Sequence, residues 1–179
     1  MKEVARLLFE LGVLCRTRRT GFYHIGITDH NTIAAHSFRT AILAYILSEI
    51  EGANTNKVLK MALIHDLPES RLLDHTFVQK KYFSIKKSIF TVLRDQLNGI
   101  KGNKELIELY KEFEDGQSKE AKVVRDADIL ETIIEAKEYV QRGSDIAKRF
   151  LDRKAELKTK KALKLFTLLQ KKTIYWWLF

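Results

Sequence analysis

Proline occurs once in the 179 residues, as Pro68, cysteine once, as Cys15, and glycine only eight times. Glycine and proline together fall well under the roughly 12% of an average chain. So few turn formers argue against sandwiches and barrels, which need a tight turn about every ten residues. A lone cysteine excludes an intrachain disulfide and fits a reducing, cytoplasmic setting. Long apolar runs are missing as well. The longest, Ala41–Leu47 and Ile174–Phe179, fall far short of the roughly 20 residues that cross a bilayer. Near the start, Arg6, Glu10 and Arg16 interrupt every apolar stretch, so no secretory segment is expected. Disorder is excluded by the 45% hydrophobic content, since such a chain can bury a core.

What is present is a 20.9 kDa chain, one domain on a prior of roughly 150 residues per domain. At this size folding buries roughly 70% of the unfolded surface, so no staple is required. The net charge is +9, but it is unevenly spread. Residues 148–179 hold 10 Lys and Arg against 2 Asp and Glu, while residues 1–147 hold 22 against 21. The body is nearly neutral. A basic stripe confined to one terminal helix reads first as a solvated face, which weighs against nucleic acid as a partner.

Apolar residues recur at helical spacing almost throughout, with no repeat and no linker. The spacing predicts helices over Lys2–Cys15 (Val4, Leu7, Leu8, Leu11 and Leu14 inward), Asn31–Ile50 and Asn54 or Thr55 to Asp66. Others follow near 78–98, 104–113, 119–142 and 145–171. Glu51-Gly52 stops the second helix, Pro68 breaks the chain after the third, and Arg16–His30 reads as a loop. The expectation is an all-α fold of six or seven helices, ending in a basic helix.

Chemistry concentrates at His36, at the adjacent pair His65-Asp66, and at Asp126 and Asp128. His36 lies on the stripe of Leu43, Leu47 and Ile50, and His65 on that of Val58 and Met61, so both point inward. Any one buried histidine can be a core residue bonded to a backbone carbonyl. Two on separate helices, one beside an aspartate, would be costly in an apolar core. A divalent cation removes that cost, because neutral imidazoles donate to it and carboxylates neutralise it. Periodicity does not choose between Asp126 and Asp128, which both flank the stripe Val123, Ala127, Leu130 and Ile134.

The segments IAAHSFRTA, ALIHDLPES and VRDADILE resemble the HD-domain metal-dependent phosphohydrolase superfamily, and within it the 5′-deoxynucleotidase-like branch that includes the HD-domain-containing protein 2 group. The likeness covers about residues 5–142, with 145–179 as a basic helix and aromatic tail. It implies an all-helical enzyme whose metal ligands are His36, His65, Asp66 and Asp128, leaving Asp126 to the surface or to a supporting role. Glu69, one turn beyond Asp66, is the candidate proton carrier, and equally a carboxylate at the helix start after Pro68 that suits the helix dipole; the resemblance places Asp74 near the sugar or the attacking water. Arg19 and Phe22, within RRTGF, map onto the substrate-binding Arg and aromatic, with Arg18 and Arg39 as further cations for phosphate. The glycine usual before Asp74 is Leu73 here, and the Glu usual before the first histidine is Ala35. Those departures bear on substrate preference more than on the metal.

The expected reaction is metal-dependent hydrolysis of a nucleoside 5′-monophosphate, a deoxynucleotide above all. A signalling phosphodiester or pyrophosphate, or a non-catalytic metal-braced binding module, are the alternatives. Imidazole with carboxylate ligation suits Mn, Fe, Co, Ni or Zn better than Ca. His24 and His30 read as loop residues, and His75 as surface or the pocket mouth. The stripe Ile146, Phe150, Leu157, Leu165, Phe166 and Leu169, with the aromatic tail, could cover the chain's own core, join two copies into a homodimer, or touch a membrane.

Overall fold

The computed structural model describes residues 1–82, 84 and 86–178. Eight α-helices follow in order: α1 Lys2–Leu14, α2 Ile33–Glu51, α3 Thr55–Ile64, α4 Glu69–Leu72, α5 Lys86–Leu97, α6 Asn103–Asp115, α7 Lys119–Gln141 and α8 Lys160–Lys171. The described residues contain no strand, only an isolated bridge between Arg18 and Thr32. None of the helices is long and apolar enough to cross a membrane. The all-helical expectation holds, and the helix beyond the expected six or seven is the four-residue α4.

Local chemistry sets the helix ends. Thr32, Asn54, Ser118 and Thr159 each accept a hydrogen bond from a backbone N–H three residues on, satisfying a donor that a helix start leaves open. Gly52 ends α2 at φ 66°, a backbone region that glycine enters freely.

Helices α2 and α7 pack against each other, with α3 lying on both and α6 beside α3 and α7. Ile33, Ala44, Leu47, Val58, Met61, Leu130 and Ile133 form the fully buried centre. Leu157, Ala162 and Phe166 belong to the same cluster, so the C-terminal stripe covers the chain's own core. A smaller cluster of Phe22, Ala136, Tyr139 and Ala147 sits under the loop that joins α1 to α2.

Three expectations are corrected. The single helix expected over 145–171 is instead two 3-10 turns, Asp145–Phe150 and Lys154–Glu156, and then α8. Leu157 between them is extended, so the apolar stripe is carried by separate pieces. The helix expected from 78 starts at Lys86, behind a 3-10 turn at Gln79–Lys81; Phe83 and Ile85 lie outside the described residues, as does Phe179 of the tail. Ile50 on α2 and Leu8 on α1 are exposed rather than inward; α1 is the clearer case. The helix turns a narrower face to the core, formed by Leu7, Leu11 and Leu14.

Candidate metal centre

Three helices bring the expected ligands together. His36 comes from the first turn of α2, His65 and Asp66 from the end of α3, and Asp128 from α7. His36 Nε2 lies 3.2 Å from Asp128 Oδ1 and 3.5 Å from Asp66 Oδ2, and His65 Nε2 lies 3.2 Å from Asp66 Oδ2. Ligand atoms of His36, His65 and Asp66 all fall within 4.8 Å of one another.

Both rings are held from behind. His65 Nδ1 donates to the Ala62 carbonyl at 2.7 Å, and His36 Nδ1 bonds the buried carboxylate of Glu131. An acceptor at Nδ1 places the proton there and turns Nε2 inward as a lone-pair donor, the usual outer support of a metal-bound histidine. His65 Nε2 is buried with no hydrogen-bond partner of its own, an atom that burial would leave costly and that an ion would satisfy. The residues present fit a divalent metal.

Charge is concentrated here. Burial and Arg19 lower the His36 pKa, but Asp128 and Glu131 outweigh them and raise it to about 9. Burial raises the carboxyl pKa values of Asp66 and Asp128, and the two histidines outweigh it, holding both carboxylates below their usual range. Glu69, at the start of α4, behaves oppositely. Burial, then the charges of Asp66 and Asp74, push its pKa well above the ordinary value.

Two cavities, of about 450 and 440 Å³, flank the cluster. Glu69 lines the first; Arg19, Phe22 and Asp74 line the second. Arg19 is mostly buried, 4.0 Å from Asp128 and 3.9 Å from Glu131, and its Nη1 has no hydrogen-bond partner. Asp74 Oδ2 accepts from the Thr20 backbone at 2.7 Å, tying the α4–α5 loop to the loop that carries Arg19. Leu73 before it adopts φ 63° and ψ 167°, a strained conformation for a residue with a Cβ.

Two expected substrate cations stand elsewhere. Arg39 Nε and Nη2 reach Glu131 at 2.9 and 2.7 Å, and its Nη1 reaches Glu138 at 2.6 Å, so its guanidinium steadies the carboxylate behind His36. Arg18 bonds the His30 carbonyl and lies 3.6 Å from Asp29, half exposed and lining neither cavity. Phe22 is almost fully buried, its ring centroid 5.1 Å from that of Tyr139 and 4.7 Å from that of Phe150, which leaves little free face for stacking. Asp126 is neither at the surface nor near the ligands. It is wholly buried and accepts from the backbones of Lys158 and Thr159 at 2.8 and 2.7 Å.

Sequence reasoning missed Glu131 and Glu135, although two glutamates four apart within the apolar pattern of α7 signal buried partners. Glu135 receives Asn31 N at 3.1 Å and the Tyr139 hydroxyl at 2.8 Å, anchoring the loop before α2.

A sequence model of the HD domain matches residues 11–170. The 5′-deoxynucleotidase HDDC2 of Dictyostelium discoideum is 31% identical over 139 residues, covering 72% of this chain and 73% of that one. The 5′-deoxynucleotidase hdd1 of Schizosaccharomyces pombe is 32% identical over 136 residues, 72% of this chain and 68% of that one. A conserved hypothetical protein from Pyrococcus furiosus superposes with a TM-score of 0.81 at 26% identity, over 94% of this chain and 99% of that one. An HD phosphohydrolase of cyanophage S-2L, solved with dA and one catalytic zinc ion, shares the fold at a TM-score of 0.53 and 20% identity, over 90% and 92% of the two chains. With the match running through every helix that supplies a candidate ligand, the chain belongs to the HD domain family.

Proposed function

We propose that this chain is a divalent-metal-dependent phosphohydrolase that converts deoxynucleoside 5′-monophosphates to nucleoside and inorganic phosphate. The observation that carries the reading is the convergence of two imidazole Nε2 atoms and two aspartate oxygens, with a buried glutamate of raised pKa beside them. Relatives that bear the name 5′-deoxynucleotidase support the substrate class. His36, His65, Asp66 and Asp128 would hold the ion, with Mn, Fe, Co, Ni and Zn the candidates. When bound, such an ion supplies Lewis acidity and a nucleophilic water near neutral pH.

The chain's own groups do the rest. In the hydrolysis a water oxygen bonds to phosphorus, the P–O5′ bond breaks, and the leaving alkoxide takes a proton. Glu69 gives that proton and regains one from the attacking water, work that suits a carboxyl whose pKa burial and its acidic neighbours raise. Arg19 Nη1 meets a phosphate oxygen. Asp74 fixes the loop that presents Arg19.

Metal-stripped protein reloaded with each ion should release phosphate from deoxynucleoside 5′-monophosphates. A panel that includes the ribonucleotides, diesters and pyrophosphates reads the substrate class. Elemental analysis of His65→Ala should show metal lost while circular dichroism stays helical. Silence on every monophosphate with every ion, or activity confined to diesters or pyrophosphates, would sink the reading. We also read residues 1–179 as one cytoplasmic domain that assembles as a homo-oligomer, supported by the exposed apolar residues Phe38, Ile42, Tyr45, Ile46 and Ile50 along α2 and by Trp176 and Trp177.

A further inference from the structure

The two cavities that flank the candidate ligands share three lining residues, His75, Lys80 and Asp128. A phosphate dianion entering at that seam meets the carboxylates of Asp66, Asp74 and Asp128. Fixed cations are needed to offset those charges. Apart from histidines, Arg19, Lys80, Arg125 and Arg153 are the cationic residues among those lining the cavities.

Three of them are already engaged. Arg125 donates to the Phe113 carbonyl at 3.1 and 2.9 Å and to that of Glu114 at 2.8 Å. Arg153 is paired with Glu156 through two bonds of 2.7 Å. Arg19 faces Asp128 and Glu131 and keeps one nitrogen open. Among the described cavity-lining cations, only the Lys80 ammonium has neither a hydrogen bond nor an ion pair. Its charge still reaches Glu69, whose carboxylate it favours.

The backbone under Lys80 is fixed. Thr76 N donates to Gln79 Oε1 at 2.9 Å and Gln79 N to Thr76 Oγ1 at 3.0 Å, and Lys80 N donates to the Thr76 carbonyl at 3.0 Å. This reciprocal Thr-x-x-Gln box satisfies the open donors of the 3-10 turn Gln79–Lys81. A long side chain on a fixed stem, at the seam of two cavities and without a partner, is a charge waiting for an anion.

We propose that Lys80 binds the phosphate of the bound nucleotide, its ammonium donating to the phosphoryl oxygens where the two cavities meet. The assignment rests on the phosphohydrolase reading. A compact ammonium there would also stabilise the charge that gathers on those oxygens during hydrolysis.

The test compares wild type, Lys80→Met, Lys80→Arg and the control Lys81→Met, all metal-loaded, on a deoxynucleoside 5′-monophosphate. Binding of inorganic phosphate by calorimetry is the second readout. Lys80→Met should lower kcat/KM by about 10²-fold, the usual cost of one lost donor to a developing oxyanion, and weaken phosphate binding, with metal content unchanged. Lys80→Arg should recover much of both, and Lys81→Met should match wild type. Lys80→Met within twofold of wild type in either readout overturns the assignment, and so does loss of its metal. If wild type hydrolyses no monophosphate, the phosphohydrolase reading falls, and the phosphate titration alone decides Lys80.

Discussion

At Glu69 burial and the nearest charges act in the same direction. Burial and the neighbouring Asp66 and Asp74 all favour its neutral form, against Arg19 and Lys80. A carboxyl whose proton is held more tightly than usual suits donation to a leaving alkoxide; one that only capped α4 would have no such need. Replacing it by Gln keeps the volume and removes the proton. Glu69→Gln is therefore expected to bind metal and nucleotide normally and to turn over roughly 10² to 10⁴-fold more slowly. Unchanged kcat at saturating metal would leave Glu69 as a helix-end residue. The ligand residues were legible because inward histidines and a His-Asp pair stand out against an apolar stripe. Arg39 and Phe22 were harder to read. Their partners, Glu131, Glu138, Tyr139 and Phe150, lie about a hundred residues or more away in sequence, and nothing next to Arg39 or Phe22 points to them.

Asp126 and Asp128 illustrate what a helix does with two acids two residues apart. They leave α7 in different directions, one toward the candidate ligands and one toward α8. The buried Asp126 carboxylate takes the two backbone donors at the entry to α8, where negative charge is also favoured by the helix dipole. Asp126→Ala should lower the unfolding free energy by about 2 kcal/mol, read as a shift of the urea midpoint at constant m-value. A change under about 0.5 kcal/mol would mean that solvent replaces the carboxylate. This contact is also why periodicity over 145–171 misled. The apolar spacing was real, but it was produced by separate turns pinned from another helix.

Glu10 does similar work between α1, α4 and α5. It accepts from Arg71 at 2.8 and 2.9 Å, from Ser70 at 2.9 Å and from Gln96, which holds the short helix that carries Glu69. Burial raises its pKa, but the bonds from Arg71, Gln96 and Ser70 outweigh this and leave it below the ordinary 4.5. A depressed carboxylate contributes stability above its unfolded pKa and loses it as pH falls through the folded one. Wild type should thus exceed Glu10→Gln in stability at neutral pH. The gap should close on acidification below the ordinary glutamate value, as followed by thermal melts across pH. A gap that stays constant with pH would show that the charge contributes nothing.

The molecule as a whole presents more apolar surface than its core requires. Helix α2 packs α3, α7 and α8 on one side while Phe38, Ile42, Tyr45, Ile46 and Ile50 remain exposed along it. Monomers seldom leave such a stripe in water. Light scattering is expected to give a dimer or larger assembly for the full chain, and Ile42→Glu with Ile46→Glu should shift it toward monomer. A monodisperse wild-type monomer would count against the surface. The all-helical class was legible from composition because few turn formers leave helices as the remaining option. The outer face of α2 was not, since a helix apolar on all sides gives no hint of which side is covered.

The division of charge along the chain has a consequence for traffic through the site. The basic C-terminal segment supplies Phe150, Arg153 and Glu156 to the wall of the second cavity, so part of that wall belongs to the 32 residues that carry 10 Lys and Arg against 2 Asp and Glu. In the proposed reaction a nucleotide arrives as an anion and is drawn in along that field. The nucleoside departs uncharged and feels none of it. Of the two products, phosphate is the one held back.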